Sequence, residues 1–407
     1  MKIIYIHQYF LTPKEGGAIR SYHLAKGMVD AGIEVEMITA HNEPTYDIRL
    51  IAGMKVHYLP ILYDNQFGFL KRVYSFLSFV RAAKQLIKKL SRPDYLYITS
   101  TPLTTGIIGR WAKRNLALPY FFEVRDLWPE APIQMGVIKN WVLKKILYGL
   151  ERKIYQDAFH LIALSPGIGD SIEKTCPNKP ITIIPNFSDS DFFDTSKVSQ
   201  RTRKDVVGVD QITISYAGAI GPVNGLESFL ALAKSAKDKE LDYRFVLMGK
   251  GAALPEIEVE KERLGLDNLY FKPFGDKGEV RDLLAVSDFV YLSFLPLPVL
   301  KSSSPNKFFD AIAIGKPLIL NFKGWIHDIV VQSDIGIYYD EDNAESVFDY
   351  IRKVIDDPQL NLAIQQRGRV LACSHFSKKQ AVNVLVGILT SKKARRKNTS
   401  GVYILTA

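Results

Sequence analysis

Short apolar runs recur along the chain, each followed by a turn and then by a stretch of helical spacing. Residues 2–6 (KIIYI) read as a buried strand, and the glycine-bearing loop HQYFLTPKEGGAIRS follows. A helix is predicted over 19–31, with Leu24, Met28 and Ala31 on one stripe and Gly32 as its stop, and a second strand over 33–39. Strand, loop, helix and strand in about forty residues is a βαβ unit of a parallel sheet. Further strands are expected at 95–99, 120–124, 160–164 and 181–184. The polar stretch 188–211 reads as a linker, and the pattern then restarts. Strands at 212–221, 243–248, 268–272, 288–294 and 317–320 alternate with helices at 226–237 and 279–286. Two doubly wound, Rossmann-like α/β domains are therefore predicted, facing each other across a cleft. Their bounds are set at 1–190 and 191–375, followed by a helix at 376–390 and a basic, exposed, mobile tail at 391–407.

One stretch, KSSSPNKFFDAIAIGKPLIL (301–320), carries the most chemistry. Ser304 is a candidate helix cap, Pro305 suits the first helical position, and Gly315 ends the helix. Lys307 and Asp310 are expected on one face near its N-terminal end, where free N–H groups and the helix dipole favour anions. A nucleotide-sugar fits such a site; so does an ordinary capped helix with a solvated Lys/Asp pair.

Composition narrows the choices. The 407 residues, 47% hydrophobic and 24% charged, describe a globular protein. Cys176 and Cys373 stand too far apart in sequence for metal-ligand spacing, and they suggest a reducing compartment. No signal peptide or membrane-spanning run is expected. The net charge is +10, and it is uneven. Residues 1–190 hold 24 Lys/Arg against 16 Asp/Glu (+8), and the remainder holds 29 against 27 (+2). The basic half implies an anionic partner. FLKRVYSFLSFVRAAKQLIKKL (69–90) sharpens that point: its apolar stripe of Phe69, Val73, Phe76, Leu77, Val80, Ala83, Ile87 and Leu90 is bordered by Lys71, Arg72, Arg81, Lys84, Lys88 and Lys89. It reads either as a helix packed on the first sheet with a solvated basic face, or as one resting on an anionic membrane surface. No nucleic-acid-binding signature accompanies it.

Five segments together resemble retaining glycosyltransferases of family 4. They are HQYFLTPKEGGAIRSYHLAKGMVDAGIEVEMIT, FFEVRDLWPE (121–130), IIPNFSD (183–189), YAGAIGPVNGLESFLALAK (216–234) and SPNKFFDAIAIGKPLIL (304–320). EVRDLWPE resembles a bacterial surface-polysaccharide subgroup that includes amino-sugar (FucNAc-type) transferases of O-antigen and capsule pathways. The resemblance implies a GT-B fold, with the donor on the C-terminal domain, the acceptor on the N-terminal one, and a last helix crossing back to the first domain. It places Lys307 on the diphosphate, Asp310 on the ribose and Gly218 at the start of the diphosphate loop; Gly16, Gly17, Asn224, Ser304 and Asn306 are the other donor candidates, with Lys250 or Arg125 to compensate for a cation missing at Asn224. Arg125 and Asp126 join Lys307 as catalytic candidates, and Arg20, Asp126 and Glu130 are acceptor candidates. For Asp126 a capping carboxylate, and for Arg20 a plain surface arginine, remain open.

The implied reaction moves a sugar from a UDP-linked donor, which suits an N-acetylamino sugar, to a polyprenyl-diphosphate-linked saccharide. The expected setting is the cytoplasmic, inner face of the plasma membrane, with no cofactor and no metal. Asp189-Ser190-Asp191 and Asp340-Glu341-Asp342 read as solvated turns rather than metal sites. His7 and His23 read as structural. Two positions depart from the family pattern: Ser302 stands where many members carry a glutamate, and Asn224-Gly225 replaces the common Lys-Gly. A nucleotide-sugar 2-epimerase of the same fold and a non-catalytic sugar-nucleotide- or membrane-binding subunit are the alternatives.

Overall fold

The apolar runs pair as two separate sheets. The computed structural model describes residues 1–15, 19–64, 67–194, 203–208 and 210–391. Gly16, Gly17 and the tail from 392 onward lie outside the described residues. The first sheet is built from β1 (Lys2–Ile6), β2 (Glu34–His41), β3 (Asp47–Ile51), β4 (Met54–Pro60), β5 (Tyr95–Thr99), β6 (Tyr120–Val124), β7 (His160–Ala163) and β8 (Ile181–Ile183). Their order is β3-β4-β2-β1-β5-β6-β7-β8, parallel except for the β3–β4 hairpin. The second sheet takes β9 (Ile212–Ala219), β10 (Tyr243–Lys250), β11 (Leu269–Lys272), β12 (Phe289–Leu292), β13 (Leu318–Leu320) and β14 (Gly336–Tyr338), all parallel, in the order β11-β10-β9-β12-β13-β14. The two-domain Rossmann-like architecture expected from the sequence is the one observed.

Both faces of the first sheet are buried, as parallel sheets require. Ile4 and Ile6 point to one side, among Phe79, Ile108, Phe122 and Ile154. Helices Phe69–Ile87, Thr105–Leu116 and Trp141–Asp157 cover that side and pack against one another in this order. Ile3 and Tyr5 point the other way, toward Leu24, Met28 and Leu385. There, helix Arg20–Asp30 meets the last helix, Lys378–Thr390, which crosses back from the second domain as expected. Gly27 makes that docking close: a Cβ on it would lie 2.4 Å from Val382. In the basic helix the expected stripe is partly corrected. Ser75, Phe79, Val80, Ala83 and Ile87 are buried, whereas Phe69 and Leu77 are exposed.

The first domain is organised around one buried ion pair. Arg20 donates from Nε and Nη2 to Glu123 Oε2 at 3.1 and 3.0 Å. It also donates to the carbonyls of Pro185 and Ile184, at 2.5 and 2.8 Å. Tyr97 and Thr99 hydroxyls add bonds to the same carboxylate, at 2.7 and 2.8 Å. Burial pushes the Glu123 carboxyl up, but the Arg20 and Arg125 charges and the hydrogen bonds from Arg20 and Tyr97 outweigh it, so the net shift is downward. Removing one partner strands the other charge in the core. Arg20→Ala should therefore cost about 3–5 kcal/mol of stability, measured as a lowered urea midpoint. In the fraction that stays folded, acceptor KM should be unchanged.

Candidate active site

Topology marks one crevice in each sheet. In the second, strand order reverses between β9 and β12, so a crevice opens beyond their carboxyl ends. Helix Asn306–Ile314 aims its first turn there. It is apolar almost all round and buried from Phe308 to Ile314, because it lies between the sheet and helix Pro358–Ser374. Gly315 ends it at φ +80°, as expected. Lys307 Nζ donates to the Tyr216 hydroxyl at 2.6 Å and stands 4.2 and 5.2 Å from the ring centres of Tyr216 and Phe294. The Tyr216 proton is directed to the Ala219 carbonyl, at 2.6 Å. Gly218 lines the other wall: a Cβ there would come within 3.3 Å of Lys307 Cε. Burial pushes the Lys307 ammonium down to about 7, and among the described residues no carboxylate lies within ion-pair distance of it. A desolvated cation without a counter-ion is a ready anion site.

Ser304 is not the cap. The N-cap is Pro305, which leaves the first N–H groups of the helix without a side-chain acceptor. Ser304 instead bridges the domains: its Oγ accepts from the Asn186 N–H at 3.1 Å, and its carbonyl accepts from Asn186 Nδ2 at 2.5 Å. Asp310 diverges from Lys307 and receives Lys277 Nζ on Oδ2 at 2.5 Å. Burial pushes its carboxyl up against the pull of Lys277, and Asp189 adds to the rise. Asn306, Asp310 and Lys277 face His23, Asn186 and Asp189 across a narrow space where the domains meet. Asp189 is thus no solvated linker turn; it binds Lys378 at 2.7 Å, because the crossing helix returns beside it. The Asp340 segment does form an exposed turn.

In the first sheet the reversal falls between β1 and β5, and His7, Thr101, Arg125 and Asp126 lie on loops at that end. Arg125 Nη1 is 3.5 Å from His7 Nε2. Burial first, then the Arg125 charge, pushes His7 down to about 3, which keeps it neutral. Asp126 reaches solvent, yet the protein around it raises its carboxyl against the pull of Arg125 and the Thr101 hydroxyl bond of 3.3 Å. It lines, with Leu127, Val299 and Ser302, a second narrow space between the domains. Ser302 donates to the Val299 carbonyl at 2.8 Å, and its own carbonyl accepts from Ser165 at 2.6 Å. Glu130 accepts from Gln134 at 2.6 Å and from the Tyr148 hydroxyl. It lines a cavity of about 410 Å³ with Glu151, Arg152 and Lys174. Burial, with the Glu130 charge adding, pushes Glu151 up to about 7.

Geometry constrains three further candidates. Arg20 gives four of its five N–H donors to Glu123 and two carbonyls, so it is first a structural cation, although it also lines the narrow space with Lys277 and Asp310. Asn224 is buried in its own turn, where Oδ1 accepts the Gly221 N–H at 3.1 Å. Lys250 stands over Phe274 at 3.9 Å, exposed and without contact to Lys307. Gly16 and Gly17 lie outside the described residues. On the basic helix, Phe76 is half-buried on Tyr63, 5.8 Å between centres, and does not face outward. Lys71 covers Phe67, Arg72 donates to the Phe67 carbonyl, and Lys84 and Lys88 stand 5.8 and 5.7 Å from Trp111. Arg81 and Lys89 are exposed. The sequence did not point to Lys277 or Tyr216, whose partners lie 33 and 91 residues away.

Inorganic pyrophosphate should bind this crevice with a proton taken up by Lys307. The protonated form is the one that binds, and it is depleted above about pH 7. The ratio of wild-type to Lys307→Met affinity should therefore fall by up to about tenfold per pH unit above neutrality, read by calorimetry.

Residues 15–186 match the model of a glycosyl transferase 4-like domain, and residues 199–371 that of glycosyl transferases group 1. The chain is 22% identical over 308 residues, 74% of each chain, to EpsF, a glycosyltransferase-class protein of Bacillus subtilis (strain 168). It is also 22% identical over 189 residues to an alpha-D-kanosaminyltransferase of Streptomyces kanamyceticus; that match spans 44% of this chain and 45% of the relative. Among solved structures, sucrose-phosphate synthase from Thermosynechococcus elongatus superposes with a TM-score of 0.76, at 14% identity, over 95% of this chain and 98% of its own. HepE of Anabaena, in complex with UDP and glucose, gives 0.68 at 18% identity over 96% and 100%. The two domain models follow one another across the two sheets, and the chain is a glycosyltransferase of the GT-B fold, with a family 4-like first domain and a group 1 second domain.

Proposed function

We propose that this glycosyltransferase takes its sugar from a UDP-linked donor, suited to an N-acetylamino sugar, and transfers it with retention to a lipid-diphosphate-linked saccharide in surface-polysaccharide assembly. The observation that carries the donor half is Lys307: a half-buried, partly desolvated ammonium at the β9/β12 reversal, without a carboxylate partner among the described residues. HepE was solved with UDP and glucose, which supports UDP as the nucleotide. In this reading the departing diphosphate is met by Lys307 and the free N–H groups that begin its helix, donors fixed before the reaction starts. Gly218 lets the diphosphate approach the backbone, and Asp310 takes the ribose through Oδ1, because Lys277 holds Oδ2.

Asp126 faces Ser302 across the domain junction, which supports it as the carboxylate at the donor sugar where position 302 carries none. Arg125 beside it would steer phosphate charge, and Glu130 an acceptor hydroxyl. No metal step is included; the cationic groups named here carry the leaving-group charge. The acceptor half rests on the basic first domain, +8 over residues 1–190, and on the cations of the 69–90 segment, which would lie on the inner face of the plasma membrane.

Donors offered as a panel with a short-chain lipid-diphosphate saccharide, followed by mass spectrometry, should give one glycosylated product from a UDP-sugar. Epimerised donor without acceptor, or binding without transfer to any acceptor, would overturn the reading. Lys307→Ala should lower kcat by two or more orders of magnitude, about 3 kcal/mol, with the melting temperature within a few degrees of wild type. Asp126→Asn should lower kcat at least tenfold while UDP affinity, measured by calorimetry, stays within about twofold.

A further inference from the structure

We infer that the outer face of helix Trp141–Asp157 is a seat for an anionic lipid bilayer, and that it delivers a bilayer-borne acceptor to the rim of the cleft. The proposal rests on the reading that the acceptor is lipid-linked, and it concerns a surface other than the 69–90 segment.

The helix lies at one side of the three-helix layer on the first sheet, and of its residues only Glu151, Ile154 and Tyr155 are fully buried. Its first two turns do the reverse of what a solvated helix does. Trp141 is 72% exposed and Ile146 60%, with Val142 exposed between them and Val137 just ahead. An apolar cluster of this size, held outward on a rigid helix, has a partner.

Charge selects which partner. Lys139, Lys145, Arg152 and Lys153 are exposed around the cluster, and among the described residues none is ion-paired. The acids do not answer them: Glu151 is turned inward onto Tyr155, and Asp157 is held by Arg110. A tryptophan and aliphatic side chains ringed by unpaired cations match the interface of an anionic membrane. A second copy of the chain would set the same cations against one another, without acids between them.

Position completes the case. Just beyond Ile146 another face of the same helix turns to the cavity beside Glu130. The Tyr148 hydroxyl donates to Glu130, and Tyr148, Glu151 and Arg152 line the cavity of about 410 Å³. That cavity includes Leu127, the neighbour of Asp126. Five residues of helix, roughly 7.5 Å, thus separate the apolar seat from Glu151. A headgroup held at the bilayer surface by Arg152 would present its saccharide to the cleft without leaving the membrane.

The test uses the full chain and floats it with vesicles of phosphatidylcholine alone or with 30% phosphatidylglycerol. Wild type should bind the anionic vesicles at least tenfold more tightly. The double variant Trp141→Glu/Ile146→Glu should weaken that binding tenfold or more and slow transfer to a vesicle-borne acceptor, with turnover of a water-soluble short-chain acceptor unchanged. Lys145→Glu/Lys153→Glu should reproduce the loss on anionic vesicles only. Binding within twofold of wild type in both variants overturns the proposal, as does a dimer in sedimentation that Trp141→Glu dissociates. Loss of vesicle binding in a protein that uses no lipid-linked acceptor would keep the seat and refute the acceptor assigned above.

Discussion

The donor site is held in place from the other domain, and the hold begins at a buried charge pair. Glu123 fixes Arg20, and Arg20 fixes the carbonyls of Ile184 and Pro185. The next residue, Asn186, grips Ser304 by two hydrogen bonds, and Ser188 Oγ reaches the Phe309 carbonyl at 2.8 Å. Ser304 and Phe309 bracket Lys307. The desolvation of an arginine and a glutamate is costly in itself. Here it determines where a helix of the second domain begins, which a greasy contact of equal size would leave free to slide.

A second consequence is the division of polar work between neighbours three residues apart. Lys307 turns to the β9/β12 crevice, and Asp310 turns to Lys277. Had the two paired with each other, the ammonium would be neutralised before any ligand arrived. Lys277 occupies the carboxylate and leaves the lysine exposed to an incoming anion. The lysine thereby stays available to an anionic ligand, whose charge would offset the cost of desolvating the ammonium.

Much of this was legible in the sequence because parallel strands buried on both faces read as continuous apolar runs. KIIYI, YLYIT and YFFEV are β1, β5 and β6 to the residue. The β3–β4 hairpin was not legible: DIRLI is an edge strand with its middle exposed, and its pattern carries no core signal. Spacing placed Lys307 on the first turn of its helix but could not say where its amine would point. Arg20 looked free because its partner lies 103 residues on. Ser304 looked like a cap because Ser before Pro before a helix is the local preference; the tertiary demand of Asn186 took the hydroxyl instead. Local chemistry reads well from sequence, and polar partners chosen across domains do not.

The contact between Gly27 and Val382 gives the chain a mechanical character. Because the last helix is clamped to the first domain, the second domain is attached at both of its ends, and the two connections run side by side. The N–H of Ser188 donates to the Phe376 carbonyl at 2.7 Å, and the N–H of Lys378 to that of Ser188 at 3.2 Å. A single connection is a swivel, free to twist as well as bend. Two laced together act as a door hinge: they resist torsion and hold the second domain, with the helix that carries Lys307, to one path relative to the first.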